Sequence, residues 1–396
     1  MLIKSHYEVI SIRLISLLLM MYSAMIPLEN VLATSIGGSV NMYIGLFTMF
    51  FICIWCIRNN ITKAHFPKWI AFFSIYAFGT MYWSIDQNFQ ILSVMLNVVI
   101  FTFIAIQYPL NLNEKNKIIF SIFLGGVIVS GLMLSGGDFT SINTIDRDRM
   151  TIIVGGLIVD NNNLALSLSI CSLCGFSLVY KVKSSFFFKT IMLIGIALCF
   201  IAILRTGSRG ALLALTVGGA IFLFFSNSGL SLKAIVIGTF FVLFGLYYIQ
   251  NFMSDSLASR FTIDEVIASG GTGRIDIWVN AVSYYQGSNI GRWLFGYGFG
   301  SFPSLMREAM GKPWASHNDV VQMLLETGLI GLFLYFKMWA EIFFNVLKKK
   351  NATALALITI VAIGSLSMEM LIKKMLWLVF YIAIITSYDD VKIKKV

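Results

Sequence analysis

Apolar residues gather in twelve runs, at about 11–28, 42–57, 68–83, 90–106, 117–135, 159–179, 187–204, 209–226, 231–250, 318–347, 352–369 and 374–388. Each approaches the roughly 20 residues that an α-helix needs to cross the hydrocarbon core of a bilayer. The pattern predicts an all-α polytopic membrane protein of about twelve transmembrane helices. The run at 318–347 is long, so that helix is expected to tilt or to begin above the membrane. No small-residue cleavage site follows the first run, which is therefore read as a helix and not as a removable signal. One sizeable polar segment remains. The organisation is thus helices one to nine in 1–250, a large loop in 251–317, and helices ten to twelve with a tail in 318–396.

Composition sharpens this. Hydrophobic residues make up 58% of the chain and charged residues 12%, with 34 Phe, and mean hydropathy is +0.83. A soluble protein of this length needs far more polar surface, so the surplus apolar surface must face lipid. The five cysteines include two C-x-x-C pairs, Cys53 with Cys56 and Cys171 with Cys174. In a polar setting they would suggest zinc or redox chemistry. Inside the apolar runs CIWC and CSLC a thiolate is costly, so they are expected to be small packing residues.

Charge sets the orientation. With the N-terminus inside, the short cytoplasmic segments collect Lys63, Lys115, Lys117, the KVK of 181–183, the KKK of 348–350 and the lysines of the tail. That bias places both termini in the cytoplasm and the large loop on the other face. The inside set is almost all Lys. The outside set is Arg147, Arg149, Arg205, Arg209, Arg260, Arg274, Arg292 and Arg307, beside Lys312, Lys373 and Lys374. Topology asks for no positive charge there. A guanidinium offers a planar fork of donors that matches phosphate oxygens two at a time, which Lys does not. Local pairing with Asp146, Asp148, Asp264, Glu265 and Asp276 is the alternative for part of this set.

Several short segments could carry chemistry. Leu204 to Gly210 (LRTGSRG) is a tight outward turn between two helices. Gly207 permits the reversal and Ser208 is expected to cap the next helix, leaving free N–H groups beside Arg205 and Arg209. In the loop, Arg274 is the best anion-binding candidate, with a pair to Asp276 as its competitor. The glycines of WLFGYGFGSF (293–302) lack the strand–helix context of a nucleotide site; with Tyr297, Phe299 and Phe302 they more simply shape a compact lid. Ser316 and Asp319 have capping-box spacing, so helix ten is expected to start there with His317 in its first turn. The helix dipole would favour neutral imidazole, able to accept a proton from a hydroxyl. Asn318, Asp319, Gln322 and Glu326 fall on one helical face and should point into the bundle. Asp160 opens DNNN (160–163), as a cap or as a partner for sugar hydroxyls. Asp146 and Asp148 form a D-x-D that solvated acid–base pairing explains better than a metal.

At these residues the chain resembles the O-antigen ligase and O-antigen polymerase family of bacterial surface polysaccharide assembly. Three blocks carry the likeness: RTGSRGALLAL (205–215), GRIDIWVNAV with LFGYGFGSF (273–302), and SHNDVVQMLLETGLIGLFLYF (316–336). It covers about the second half of the chain; the first half matches only in hydropathy and helix count. The resemblance implies a metal-independent glycosyltransferase of the bacterial inner membrane that moves glycan from undecaprenyl diphosphate to an acceptor hydroxyl on the periplasmic face. Arg205, Arg209 and Ser208 would then bind the diphosphate, Arg274 would contact it from the loop, and His317 would position or deprotonate the acceptor. Asn318, Asp319, Gln322 and Asp160 would stand behind them.

No cofactor, nucleotide or metal is implied. The expected partners are the lipid-linked glycan and the bilayer, with a chain-length regulator and a flippase alongside, and no nucleic acid. Polymerase and ligase differ in acceptor, a second lipid-linked repeat or lipid A core; the Lys-, Ile-, Phe- and Asn-rich composition favours polymerase. The reading from another class is a flippase or transporter. It would want acidic groups mid-helix and an inverted repeat, yet only Glu326 and Glu341 approach a helix centre.

Overall fold

The structure, a computed structural model, describes residues 2–29, 40–59, 67–86, 89–135, 149–154, 157–182, 184–226, 232–262, 264 and 273–387. The D-x-D of Asp146 and Asp148 lies outside them. Every apolar run coincides with a helix. In chain order the helices are α1 (Leu2–Leu28), α2 (Val40–Arg58), α3 (Lys68–Thr80), α4 (Phe89–Ala105), α5 (Leu112–Leu134), α6 (Asn161–Lys181), α7 (Phe186–Thr206), α8 (Arg209–Phe225) and α9 (Leu232–Phe252). Among the described residues the shorter α10 (Asp255–Ala258), α11 (Arg274–Gln286), α12 (Ile290–Phe295) and α13 (Phe302–Met310) follow, before α14 (Asp319–Lys348), α15 (Ala352–Ser365) and α16 (Lys374–Ser387). Among the described residues α2, α5, α6, α7 and α14 are each long and apolar enough to cross a membrane, and α8, α15 and α16 are shorter apolar helices. The described residues are all-helical as expected, apart from a two-residue antiparallel pair, Ile153–Val154 with Leu157–Ile158.

Local sequence sets the helix starts. Asn111 and Glu114 exchange both bonds of a capping box at α5, and Asp160, Ser185 and Asn351 cap α6, α7 and α15. These side chains take N–H groups that have no acceptor in the first helical turn. At α3 the residue before the helix is Pro67, which supplies no side-chain cap. The Trp69 N–H there donates to Glu341 Oε2 at 2.9 Å. One of the two acids near a helix centre is thus engaged as a structural acceptor.

Packing follows small residues. Helix α1 lies on α5, α6 on α7, and α8 on α15. A Cβ on Gly126 would stand 2.3 Å from Cys171 Cβ, so α5 and α6 touch where glycine faces cysteine. Cys171, Cys174 and Cys199 are free and buried, as packing residues would be. Ile57, Phe47 and Phe186 are by contrast largely exposed on helix surfaces, the inverse of a soluble protein.

The loop owns a small core. Ile277, Ala281 and Tyr285 of α11 close on Phe302, Leu305 and Met306 of α13 and on Leu325 of α14. Phe299 and Phe302 are fully buried, so the aromatic residues expected to shape a lid fill its interior. The helix beneath is kinked at Gly328 (φ 66°, ψ −169°). There the carbonyls of Leu325 and Glu326 accept from Tyr297 N at 2.9 Å and Gly298 N at 2.7 Å. Glu326 also accepts from Phe302 N at 3.1 Å, at the start of α13.

Candidate functional site

Gly207 builds the turn that carries the arginine pair of the sequence motif, Arg205 and Arg209. Two residues separate α7 from α8, and Gly207 reverses the chain at φ +64°, a region costly for a residue with a Cβ. Its N–H donates to the Leu204 carbonyl at 3.0 Å. Its own carbonyl accepts from Arg260 Nε at 3.2 Å. Arg260 sits in the short 3-10 turn Ser259–Phe261 and is buried. The loop is therefore laced onto the turn by a guanidinium.

Ser208 does not cap α8 as expected. It is buried, and its Oγ donates instead to Asn162 Oδ1 at 3.0 Å. The same oxygen accepts from Arg149 Nη2 at 3.3 Å, while Arg149 Nε donates to the Thr206 carbonyl at 2.7 Å. Asn162 so joins the start of α6 to the α7–α8 turn. Asp160, one residue ahead of α6, accepts from Asn163 N at 2.8 Å, the capping alternative of the two foreseen.

Arg274 is the first residue of α11, after Gly273 at φ +76°. Among the described residues it makes no hydrogen bond or ion pair, so the pairing with Asp276 is not formed. Burial disfavours its charge; Asp160 opposes this, and Arg149 and Arg209 add repulsion. Several like charges held in a partly dry space are eased by an anion placed among them.

His317 stands at φ 49°, a conformation uncommon for a residue with a side chain. Helix α14 begins later than the capping-box spacing implied. Asn318 is the cap, accepting from Val320 N at 2.9 Å and Val321 N at 3.2 Å. His317 consequently lies just ahead of the helix and not in its first turn. Both neighbours are pinned. Ser316 accepts through its carbonyl from Trp278 Nε1 at 2.8 Å and donates through its N–H to Glu369 Oε1 at 2.8 Å. Asn318 Nδ2 donates to the Leu366 carbonyl at 3.3 Å. Burial first and Arg274 second push the imidazole below its usual value of 6.5, against the pull of Glu369 and Asp160. The ring is neutral at pH 7, for a different reason from the helix dipole invoked above.

These pieces meet in one cavity of about 730 Å³, lined by Arg149, Arg209, Arg260, Arg274 and His317 with Asn162, Asp276, Met310 and Trp314. Of the residues foreseen, Arg209, Arg274 and His317 are brought together. Arg205 is not: its Nε donates to Tyr248 Oη at 2.8 Å, with the guanidinium 5.5 Å from that ring's centroid. Asn318, Asp319 and Gln322 are buried beneath the wall. Asp319 Oδ1 accepts from Met370 N at 2.8 Å, and Gln322 joins Ser316 Oγ to Glu326 at 3.3 Å on each side. They hold the His317 turn and do not line the cavity. Arg149, Arg260, Asn162 and Trp314 were not assigned to the site from sequence, although the excess of outward arginines contained the first two. Chemically the cavity pairs a fork-rich cationic wall with an unprotonated base.

Residues 194–336 match the family model described as O-antigen ligase. All three motif blocks and Arg209, Arg274 and His317 fall within that span. The match bears out the family resemblance for this segment and supports a membrane enzyme of the O-antigen ligase or polymerase type. No curated protein matches the chain in sequence.

Proposed function

We propose that the chain is a membrane glycosyltransferase that moves a glycan from undecaprenyl diphosphate to an acceptor hydroxyl at the periplasmic face of the bacterial inner membrane. The carrying observation is the shared cavity of Arg209, Arg274 and neutral His317, walled by Arg149 and Arg260. The acceptor oxygen attacks the anomeric carbon as the carbon–oxygen bond to the diphosphate breaks. The hydroxyl proton passes to a ring nitrogen of His317, and the bonding pair leaves with the diphosphate. Negative charge grows on the leaving phosphate oxygens, where preorganised guanidiniums meet it. Trp314 at the rim offers a flat face for a sugar ring. The donor is already activated by its lipid diphosphate, so these steps use no nucleotide and no metal.

The charged cavity gathers at element ends: Arg209 opens α8, Arg274 opens α11 and His317 precedes α14. That favours interfacial chemistry over a transporter's mid-membrane path. We favour a polymerase on composition, with a ligase as the second reading because the matched family is described as O-antigen ligase. A lipopolysaccharide gel of a deletion strain tests both. One repeat on the core supports the polymerase, and bare core with accumulated lipid-linked long chains supports the ligase. Unchanged banding with intact lipid-linked pools overturns the proposal. Purified enzyme should also turn over in EDTA; a strict metal requirement would redirect attention to Asp146 and Asp148.

A further inference from the structure

A second pocket, of about 170 Å³, lies far from the arginine cavity and is lined by eleven residues, none of them acidic. Helices α5, α6, α15 and α16 enclose it. Its polar lining includes Lys115, Lys181, Asn351 and Thr353, and Ile119 is part of its apolar wall. Asn162 at one end of α6 faces the arginine cavity and Lys181 at the other faces this pocket. At 1.5 Å per residue the two lie roughly 28 Å apart along the helix.

Three features converge on one ligand chemistry. Two ammonium groups, Lys115 and Lys181, border the pocket from different helices. The N-terminus of the 14-residue helix α15 opens onto it, with Asn351 as cap, so a positive dipole end and first-turn N–H groups face the same space. Thr353, in that first turn, is 4% exposed and its Oγ has no hydrogen-bond partner among the described residues. A buried hydroxyl without a partner is costly unless something outside the chain satisfies it. Lysine as the cation also distinguishes this pocket from the arginine cavity: a point charge suits a single phosphate without the two-pronged match that guanidinium makes.

We propose that this pocket binds a phosphate group, one oxygen accepting from Thr353 Oγ and the helix N-terminus while Lys115 and Lys181 balance the charge. The pocket lies among the ends of four apolar helices, so the phosphate can belong to an anionic lipid or arrive free. Occupancy would clamp α5, α6, α15 and α16 at the end remote from the arginine cavity.

The purified full-length chain is examined by native mass spectrometry with phosphatidylglycerol or phosphatidylcholine, and by thermal unfolding with inorganic phosphate or chloride at equal ionic strength. If the phosphate comes from lipid, wild type retains phosphatidylglycerol over phosphatidylcholine. The paired variant Lys115→Gln/Lys181→Gln then lowers that preference about tenfold, on the scale of one charge-assisted contact, and Thr353→Val lowers it severalfold. If the source is soluble, inorganic phosphate raises the unfolding temperature of wild type and not of the paired variant, with no lipid preference. Lys337→Gln, on α14 outside the pocket, reports non-specific charge loss and should behave as wild type. The proposal is overturned if Thr353→Val and the paired variant match wild type in both assays, or if Lys337→Gln loses as much as the paired variant. Thr353→Val keeps shape and charge, so it still decides the matter if the paired variant fails to fold.

Discussion

Arg260 donates its Nε proton to the carbonyl of Gly207 at 3.2 Å, which makes this backbone oxygen a junction between the loop and the α7–α8 turn. A Cβ at that glycine would stand 2.9 Å from Leu257 Cδ1 and 3.2 Å from Arg260 Nε, in a left-handed conformation. Gly207→Ala should therefore cost about 1–2 kcal/mol from the backbone alone and displace Arg260 as well. A lower unfolding temperature with strongly reduced polymer is expected. Unchanged values in both would show the junction to be dispensable.

Arg209 and Arg274 line the cavity, whereas Arg205 is occupied with Tyr248. Alanine at either of the first two should lower turnover by about 100-fold or more, the usual scale for losing one donor to a developing anion, with membrane levels maintained. Arg205→Ala should cost far less turnover and act mainly on stability. Polysaccharide gels beside immunoblots of membrane protein separate the cases. Equal loss in all three would return Arg205 to the phosphate-binding set.

His317 must be unprotonated to accept a proton, and burial together with Arg274 holds its pKa below 6.5. The rate should rise with pH through a value under 6.5 and be flat at neutrality, because protonation on the acid side removes the base. Arg274→Gln removes a positive neighbour that opposes protonation, so the imidazole pKa should move up. NMR titration of the His317 ring reads this without depending on residual activity. A pKa that stays put or falls would contradict the placement of Arg274 beside it.

Asp319 Oδ1 accepts from Met370 N at 2.8 Å inside the protein. Asp319→Ala would strand a buried N–H donor and cost about 1–3 kcal/mol. The expected signature is reduced accumulation of the protein and loosened holding of the His317 turn, with donor binding at the arginines retained. A variant that accumulates normally but no longer binds donor would make Asp319 a ligand-contacting group.

Helix positions were legible because lipid demands long apolar runs, and a cap such as Asp160 acts within four residues of itself. Arg209, Arg274 and His317 were legible as outward polar groups in short motifs. The misreadings have tertiary causes. Ser316 with Asp319 has the spacing of a capping box, but Asp319 accepts from Met370, fifty-one residues on, which leaves Asn318 to cap. Arg205 and Arg209 flank one reversal, and neither spacing nor charge says that only one turns to the cavity; Tyr248 of α9 decides it. Arg149 and Arg260 enter through bonds to backbone carbonyls of the α7–α8 turn, which no pattern within their own segments encodes.

Main chain crosses main chain where α12 ends above the kink of α14. A Cβ on Gly296 would lie 2.3 Å from the Glu326 oxygen, and one on Gly328 would lie 2.6 Å from Gly296 N. The scaffold under His317 is thus fastened by two positions that admit no side chain, while Trp314 and Met310 at the rim are held by no such constraint. Substitution at Trp314 or Met310 thus reshapes the mouth of the cavity while the crossing of backbones beneath it stays as it is.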